Sequence, residues 1–264
     1  MEANRVLAIE NGVNFRQLGG YQNEAGRSIK WNKLIRSGKL ANLSKSDLAL
    51  LEQLNVKFDV DFRSPEEKHE APDLVPSTAE YIFDPVFEID ETQSTKQTRD
   101  LSNKMKTNPL TGKNEMIRVY QDIIKKSHTQ KAYRRFFDIL LSNDQESDSL
   151  LFHCTAGKDR TGMGAIFLMS ALDIPEDTIK ADYLLTNRVA ADFQRNVVMD
   201  LKLKHEPSAY IQSIKALQSV QIAYYNAAMD EIKQIAGSMK QYLHDYLELS
   251  DSEVRDLKEI YLTK

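Results

Sequence analysis

Cysteine is nearly absent. The 264 residues contain one, Cys154, which excludes an intrachain disulfide and a thiolate metal cluster and makes a reducing, cytoplasmic setting the default. The opening MEANRVLAIENG lacks a basic segment followed by an apolar stretch, so no secretory signal is read there. Export by a signal trimmed from the chain stays open. Glycine (10) and proline (7) are scarce, about 4% and 3% against a usual roughly 7% and 5%. That shortage argues against a sandwich of many short strands and for long helices. No apolar run is long enough to cross a bilayer; the longest mainly apolar one is residues 162–172. Positive charge is not in excess either. Lys plus Arg is 35 and Asp plus Glu is 39, a net charge of −4, which argues against nucleic acid as a partner. His69, His128, His205 and His244 are scattered without ligand spacing, so neither a metal site nor a cofactor is expected.

What remains is a core-forming chain: 41% hydrophobic, 28% charged, with a mean hydropathy of −0.49. No internal repeat is visible, and residues 1–264 read as a single domain. Gly26 to Ile35 reads as a strand ending at the turn Ser37-Gly38. Ser44 with Asp47 caps a helix carrying Leu48, Leu51 and Leu54. Val56 to Phe62 alternates with period two, a strand signal, stopped by Arg63-Ser64-Pro65. Thr78 to Phe83 reads as another strand, closed by Asp84-Pro85. From Glu91 to Asn114 the sequence is polar and reads as a mobile loop or a loosely packed helix. Two helices follow, the second with Tyr133, Phe136, Phe137, Leu140 and Leu141 on one stripe. Ser149 to His153 reads as a buried strand, and nearly everything after Thr161 as helix, with a capping box at Ser250 and Glu253. The pattern predicts an α/β fold: a central, mostly parallel sheet flanked by helices, with extra C-terminal helices.

One stretch carries chemistry: His153-Cys154-Thr155-Ala156-Gly157-Lys158-Asp159-Arg160-Thr161-Gly162. It links an apolar strand to an apolar helix, where ligands of open α/β sheets bind. The loop's N–H groups and the helix start make an anion site. A cysteine heading such a loop feels the helix dipole and nearby cations, and both favour the thiolate. Arg160 offers a planar fork matching two phosphate oxygens, Lys158 a second positive charge, and Thr161 a hydroxyl for the sulfur. A lone cysteine is usually a small buried hydrophobe. The spacing from Cys154 to Arg160-Thr161, preceded by His153, arises by chance in only about one in 10⁴ chains of this length.

These residues resemble the H-C-x(5)-R-[ST] phosphate loop of cysteine-dependent protein tyrosine phosphatases. The Lys158-Asp159 pair is similar to that of their bacterial tyrosine/lipid phosphatase branch. Further matches to that branch are Asn14 to Tyr21 (NFRQLGGY), Arg36-Ser37-Gly38, Asp61-Phe62-Arg63-Ser64 with Glu67, and Asp182 to Leu185 (DYLL). Phe62 departs from it, standing where an aliphatic residue is common, a change of packing more than of chemistry. The resemblance implies a metal-independent phosphatase acting through a phosphocysteine on phosphotyrosine, phosphoserine or phosphothreonine, or phosphoinositides. It also implies a phosphate or other oxyanion in the loop at Thr155, Ala156, Gly157, Lys158, Asp159, Arg160 and Thr161. A helical cover, as in some relatives, is expected over about residues 186–228.

The reaction needs an acid for the leaving oxygen and a base for water. The only tryptophan is Trp31, so no Trp-Pro-Asp loop supplies the acid. Asp159 is the first candidate, Asp61 the second and Asp84, before a proline, the third. His153 is expected to orient the loop. Sulfur transferases and arsenate reductases also head an anion loop with cysteine, but His153, the Arg160-Thr161 ending and the lack of a second cysteine disfavour them. A non-catalytic phosphate-recognition module and a primarily phosphoinositide-directed enzyme are the alternatives.

Overall fold

Ser149–His153 is apolar along its length because the strand it forms, β5, is covered on both faces. In the computed structural model, which describes residues 5–92 and 97–264, β5 is the middle of a five-stranded sheet. The other strands are β1 (Arg16–Gln17), β2 (Leu34–Ser37), β3 (Val56–Asp61) and β4 (Glu80–Phe83). Their order is β1-β2-β5-β3-β4, with β1 antiparallel to β2 and every other pair parallel. The α/β architecture is the expected one.

Register places the chemistry. Ser37, His153, Asp61 and Phe83 lie side by side across four neighbouring strands. The segments that follow them therefore leave the same sheet edge together: Gly38, Cys154, Phe62-Arg63 and Asp84. Four motifs far apart in the chain converge for that reason alone.

Helix α1 (Lys45–Gln53) starts at the expected Ser44–Asp47 capping box, and α2 (Pro65–Glu70) at an equivalent one formed by Ser64 and Glu67. Where the sequence shows only a strand stop, Pro65 at the first helical position opens that short helix. Helix α3 is Arg99–Thr107, α4 Thr111–Lys125, α5 Ser127–Ser142 and α6 Arg160–Ala171. The C-terminal block holds α7 (Glu176–Val189), α8 (Ala191–Leu203), α9 (Ser208–Gln218), α10 (Ile222–Ala236), α11 (Met239–Asp245) and α12 (Asp251–Tyr261). Helix α6 is buried on nearly every side, as its apolar sequence requires. Phe62 packs edge-on against Tyr133 and Phe136, and Gly164 of α6 leaves room for its ring. Among the described residues, no helix is long and apolar enough to cross a membrane.

One stretch differs from its sequence reading, and a second takes one of its two expected forms. The strand expected over Gly26 to Ile35 begins only at Leu34 and runs through Ser37. Upstream, Ser28 and Ile29 make isolated bridges, and Asn32 sits at φ 57° in a turn fixed by its N–H donating to Gln17 Oε1 at 2.7 Å. The polar stretch from Glu91 to Asn114 contains a packed helix: Met105 of α3 is fully buried and Leu101, one turn back, rests on the core. Helix α9 supplies the surface beneath, a partner about a hundred residues distant that local composition cannot disclose. Residues 93–96 of that stretch lie outside the described residues.

Residues 186–228 split into unlike parts. Helix α9 buries Ser213, Ile214, Ala216 and Leu217 and crosses α4 so closely that a Cβ on Gly112 would overlap the Ser213 carbonyl. Helix α8 buries no residue, and its Phe193, Met199 and Leu203 are exposed.

Candidate active site

Residues 154–159 turn from β5 into α6 and place Cys154, 2% exposed, at the head of the loop. Gly157 has φ +65°, and a Cβ there would overlap the Ser37 carbonyl, so the turn requires glycine. Its carbonyl accepts from Arg36 Nη2 at 2.9 Å and from Asn14 Nδ2 at 2.8 Å. The N–H of Lys39 donates to Thr155 O at 3.1 Å. The loop's carbonyls are thus drawn outward by the sheet-edge segments.

Behind that bracing lies a buried charge triad. Asp182 of α7 accepts from Arg16 Nε at 3.1 Å and from Arg36 Nη1 at 2.7 Å. Burial pushes its carboxyl up, but the two guanidinium groups outweigh that and hold it at about 2. Replacing Asp182 with Ala leaves two buried cations unpaired, and a loss of about 3–5 kcal/mol in urea unfolding is expected. A loss below about 1 kcal/mol, the range of a surface pair, would refute this bracing role.

Arg160 is fully buried. Its two Nη atoms meet Glu67 of α2 as a fork, at 2.5 and 2.7 Å, and Nη2 also donates to Thr92 Oγ1 at 3.3 Å. Glu67 accepts from Ser64 N at 2.9 Å and from the Thr155 hydroxyl, so one carboxylate ties the α2 start to both ends of the loop. Burial opposes its charge, yet Arg160 and these donors hold it at about 2. Among the described residues, Arg160 Nε and Thr161 Oγ1 are buried without a hydrogen-bond partner. Both are donors, and both belong to the anion loop.

Under the loop, His153 Nδ1 lies 3.2 Å from the Cys154 carbonyl oxygen. Its Nε2 faces Asp59 at 3.3 Å, Asp73 at 3.4 Å and Asp61 at 3.8 Å. Burial works against the imidazolium, but Asp61, Asp59 and Asp73 win and push His153 up to about 10. Asp59, Asp73 and His153 could bring ligand atoms within 4.8 Å of one another; both carboxylates face His153, and Asp73 is also paired with Arg63. A histidine raised from 6.5 to about 10 contributes stability that is complete below pH 6.5 and is lost as pH rises through 10. Melting temperature is therefore expected to fall between about pH 6.5 and 10, and His153→Asn is expected to flatten that fall. An equally steep fall in the variant would assign it to other groups.

The acid candidates separate. Asp61 accepts from Arg63 Nε and Nη2 at 2.9 and 2.8 Å and from the Tyr81 hydroxyl at 2.7 Å. Burial opposes its ionisation, but His153 and Arg63 hold it at about 2, so it keeps no proton to give near neutral pH. Asp84 accepts from Arg135 Nε at 2.7 Å, and burial pushes it up to about 6. Asp159 lies in the loop itself, paired with Lys158 on Oδ2 and accepting from the Tyr120 hydroxyl on Oδ1 at 3.0 Å. The structure thus brings together Cys154, Thr155, Gly157, Lys158, Asp159, Arg160 and Thr161, and gives Asp61 a different set of partners. Glu67 is quoted in the sequence motif without a role. The signal for it is the Ser64–Glu67 capping box, which fixes where that carboxylate points. Tyr120 carries no local signal at all.

The profile of the tyrosine phosphatase family matches residues 7–263. A putative tyrosine-protein phosphatase of Cupriavidus necator is 32% identical over 250 residues, covering 94% of this chain and 86% of that protein. The triple specificity protein phosphatase PtpB of Mycobacterium tuberculosis is 24% identical over 267 residues, covering 91% and 93%. A tyrosine-protein phosphatase of Nostoc commune is 26% identical over 159 residues, 60% of this chain and 50% of its own. With nearly its whole length matched by the family profile and by a relative 32% identical, this chain belongs to the tyrosine phosphatase family and is a phosphatase.

Proposed function

We propose that the chain hydrolyses phosphomonoesters, phosphotyrosine first among them, through a phosphocysteine on Cys154 and without a metal. The observation that carries this reading is the Arg160 fork fixed on Glu67 beside a cysteine at the loop head, with Arg160 Nε and Thr161 Oγ1 as unspent buried donors. Such donors are preorganised for an oxyanion and need no rearrangement when charge develops.

In the first step the Cys154 thiolate attacks phosphorus, the S–P bond forms and the P–O bond to the leaving group breaks. Asp159 delivers the proton to the leaving oxygen. Lys158, attached to Asp159 Oδ2, turns to the arriving phosphate and frees that oxygen for the proton. In the second step water attacks phosphorus, Asp159 takes its proton, and the S–P bond breaks to release phosphate and the thiolate. Protonated His153 supplies a fixed positive charge beneath the sulfur. Asp61 is not the acid in this scheme. Its role is to hold Arg63 and His153.

Phosphoserine, phosphothreonine and phosphoinositides stay as secondary substrates to be ranked by a panel. Within residues 186–228 the cover is assigned to α8, which buries no residue fully and rests on the core through Val197 and Leu201. The direct test is p-nitrophenyl phosphate hydrolysis in excess EDTA. Full turnover is expected; loss of activity restored by a divalent metal would overturn the metal-free reading.

A further inference from the structure

Asp159 is held from a direction that the loop sequence does not reveal. Tyr120 of α4 and Tyr183 of α7 are both fully buried. The Tyr183 hydroxyl meets that of Tyr120 at 3.0 Å, and Tyr120 meets Asp159 Oδ1 at 3.0 Å. Tyr120 donates to Asp159 Oδ1, and its oxygen accepts from Tyr183, whose hydroxyl also faces the Gln221 carbonyl at 3.4 Å. The two rings stand edge to face at 6.2 Å, and Tyr224 packs on Tyr120 at 5.8 Å, so neither hydroxyl can swing away cheaply. Burial together with the Asp159 charge raises Tyr120 well above the usual tyrosine range, so its proton stays on oxygen.

We propose that Tyr120, backed by Tyr183, is a positioning residue that decides which oxygen of Asp159 carries the catalytic proton; this rests on the reading of Asp159 as the acid. With Oδ1 held by the Tyr120 hydroxyl, a proton on Asp159 is directed to Oδ2, the oxygen beside Lys158. When Lys158 turns to the phosphate, Oδ2 holds the O–H and gives it to the leaving oxygen. Tyr120 transfers no proton and touches no substrate. Without its hydroxyl, the carboxyl can rotate and carry its proton on either oxygen, and the productive fraction falls. Donation along the pair also stiffens it, since each hydrogen bond polarises the next.

The consequence is specific to leaving groups that need a proton. In Tyr120→Phe, kcat/KM across a series of aryl phosphates is expected to fall increasingly as the leaving phenol becomes more basic, reaching about tenfold for phenyl phosphate, the worth of one hydrogen bond to a charged group. Asp159→Asn should show the same trend more steeply, and adding Tyr120→Phe to it should cost nothing further. A uniform loss across the series in Tyr120→Phe, with Asp159→Asn still graded, would overturn the positioning role and leave Asp159 as the acid. A flat series in Asp159→Asn would remove the acid and this inference with it. Should Tyr120→Phe melt too low to assay, Tyr183→Phe removes only the donor behind Tyr120. A shallower trend of the same sign is then expected, and a uniform loss again overturns the proposal.

Discussion

Cys154→Ser is expected to turn over p-nitrophenyl phosphate roughly 10⁴-fold or more below the native chain while still binding inorganic phosphate. In the proposed mechanism the nucleophile is a thiolate, and a serine hydroxyl in its place stays protonated near neutral pH. That mechanism gives anion binding to other groups: loop N–H donors, Arg160 braced on Glu67, and Thr161. Isothermal titration with phosphate and a steady-state assay on the same preparation separate the two effects. Turnover like that of the native chain would end the nucleophile assignment. Loss of phosphate binding together with turnover would mean that the substitution had collapsed the loop.

Arg160→Lys should lower kcat/KM by about 10³-fold, although charge is conserved. Glu67 takes both Nη atoms of the guanidinium and leaves Nε for the anion. An ammonium cannot divide itself in that way. It either follows Glu67 and abandons the phosphate, or follows the phosphate and strands a buried carboxylate. The second cost also reaches stability, by about 3 kcal/mol, as for other broken buried pairs. A measured loss under about tenfold would mean that positive charge alone, without the fork, does the work.

How much of this was legible in advance depended on whether the cause was local. The capping boxes at Ser44 and Ser250 and strands β3, β4 and β5 follow from spacing within a few residues, and the structure has them. The polar stretch holding α3 stays open between loop and loosely packed helix in the sequence, because the helix that covers Met105 is α9 and nothing nearby announces it. Gly26 to Ile35 is not a continuous strand, because a turn there is pinned to Gln17. In the site, the loop residues were visible as a motif. The bracing was visible only as matched letters, since Asn14, Arg16, Arg36 and Asp182 mean little until the sheet register brings them together. Asp61 is an acid candidate because a strand ends on it, and its partners Arg63 and Tyr81 become visible only in the fold. Tyr120 left no trace in the sequence. It lies 39 residues from Asp159, on a helix face that otherwise reads as plain core.

The central claim is the covalent step at Cys154, and rapid quenching during turnover addresses it most directly. Asp159→Asn, in which release from the enzyme should be slowed, is mixed with p-nitrophenyl phosphate for milliseconds and quenched, and the digest is read by mass spectrometry. The account predicts one phosphoryl group on the peptide containing Cys154, appearing with the nitrophenol burst and decaying as phosphate is released. A nitrophenol burst with the Cys154 peptide unmodified throughout, or a phosphoryl group on any other residue, would contradict it.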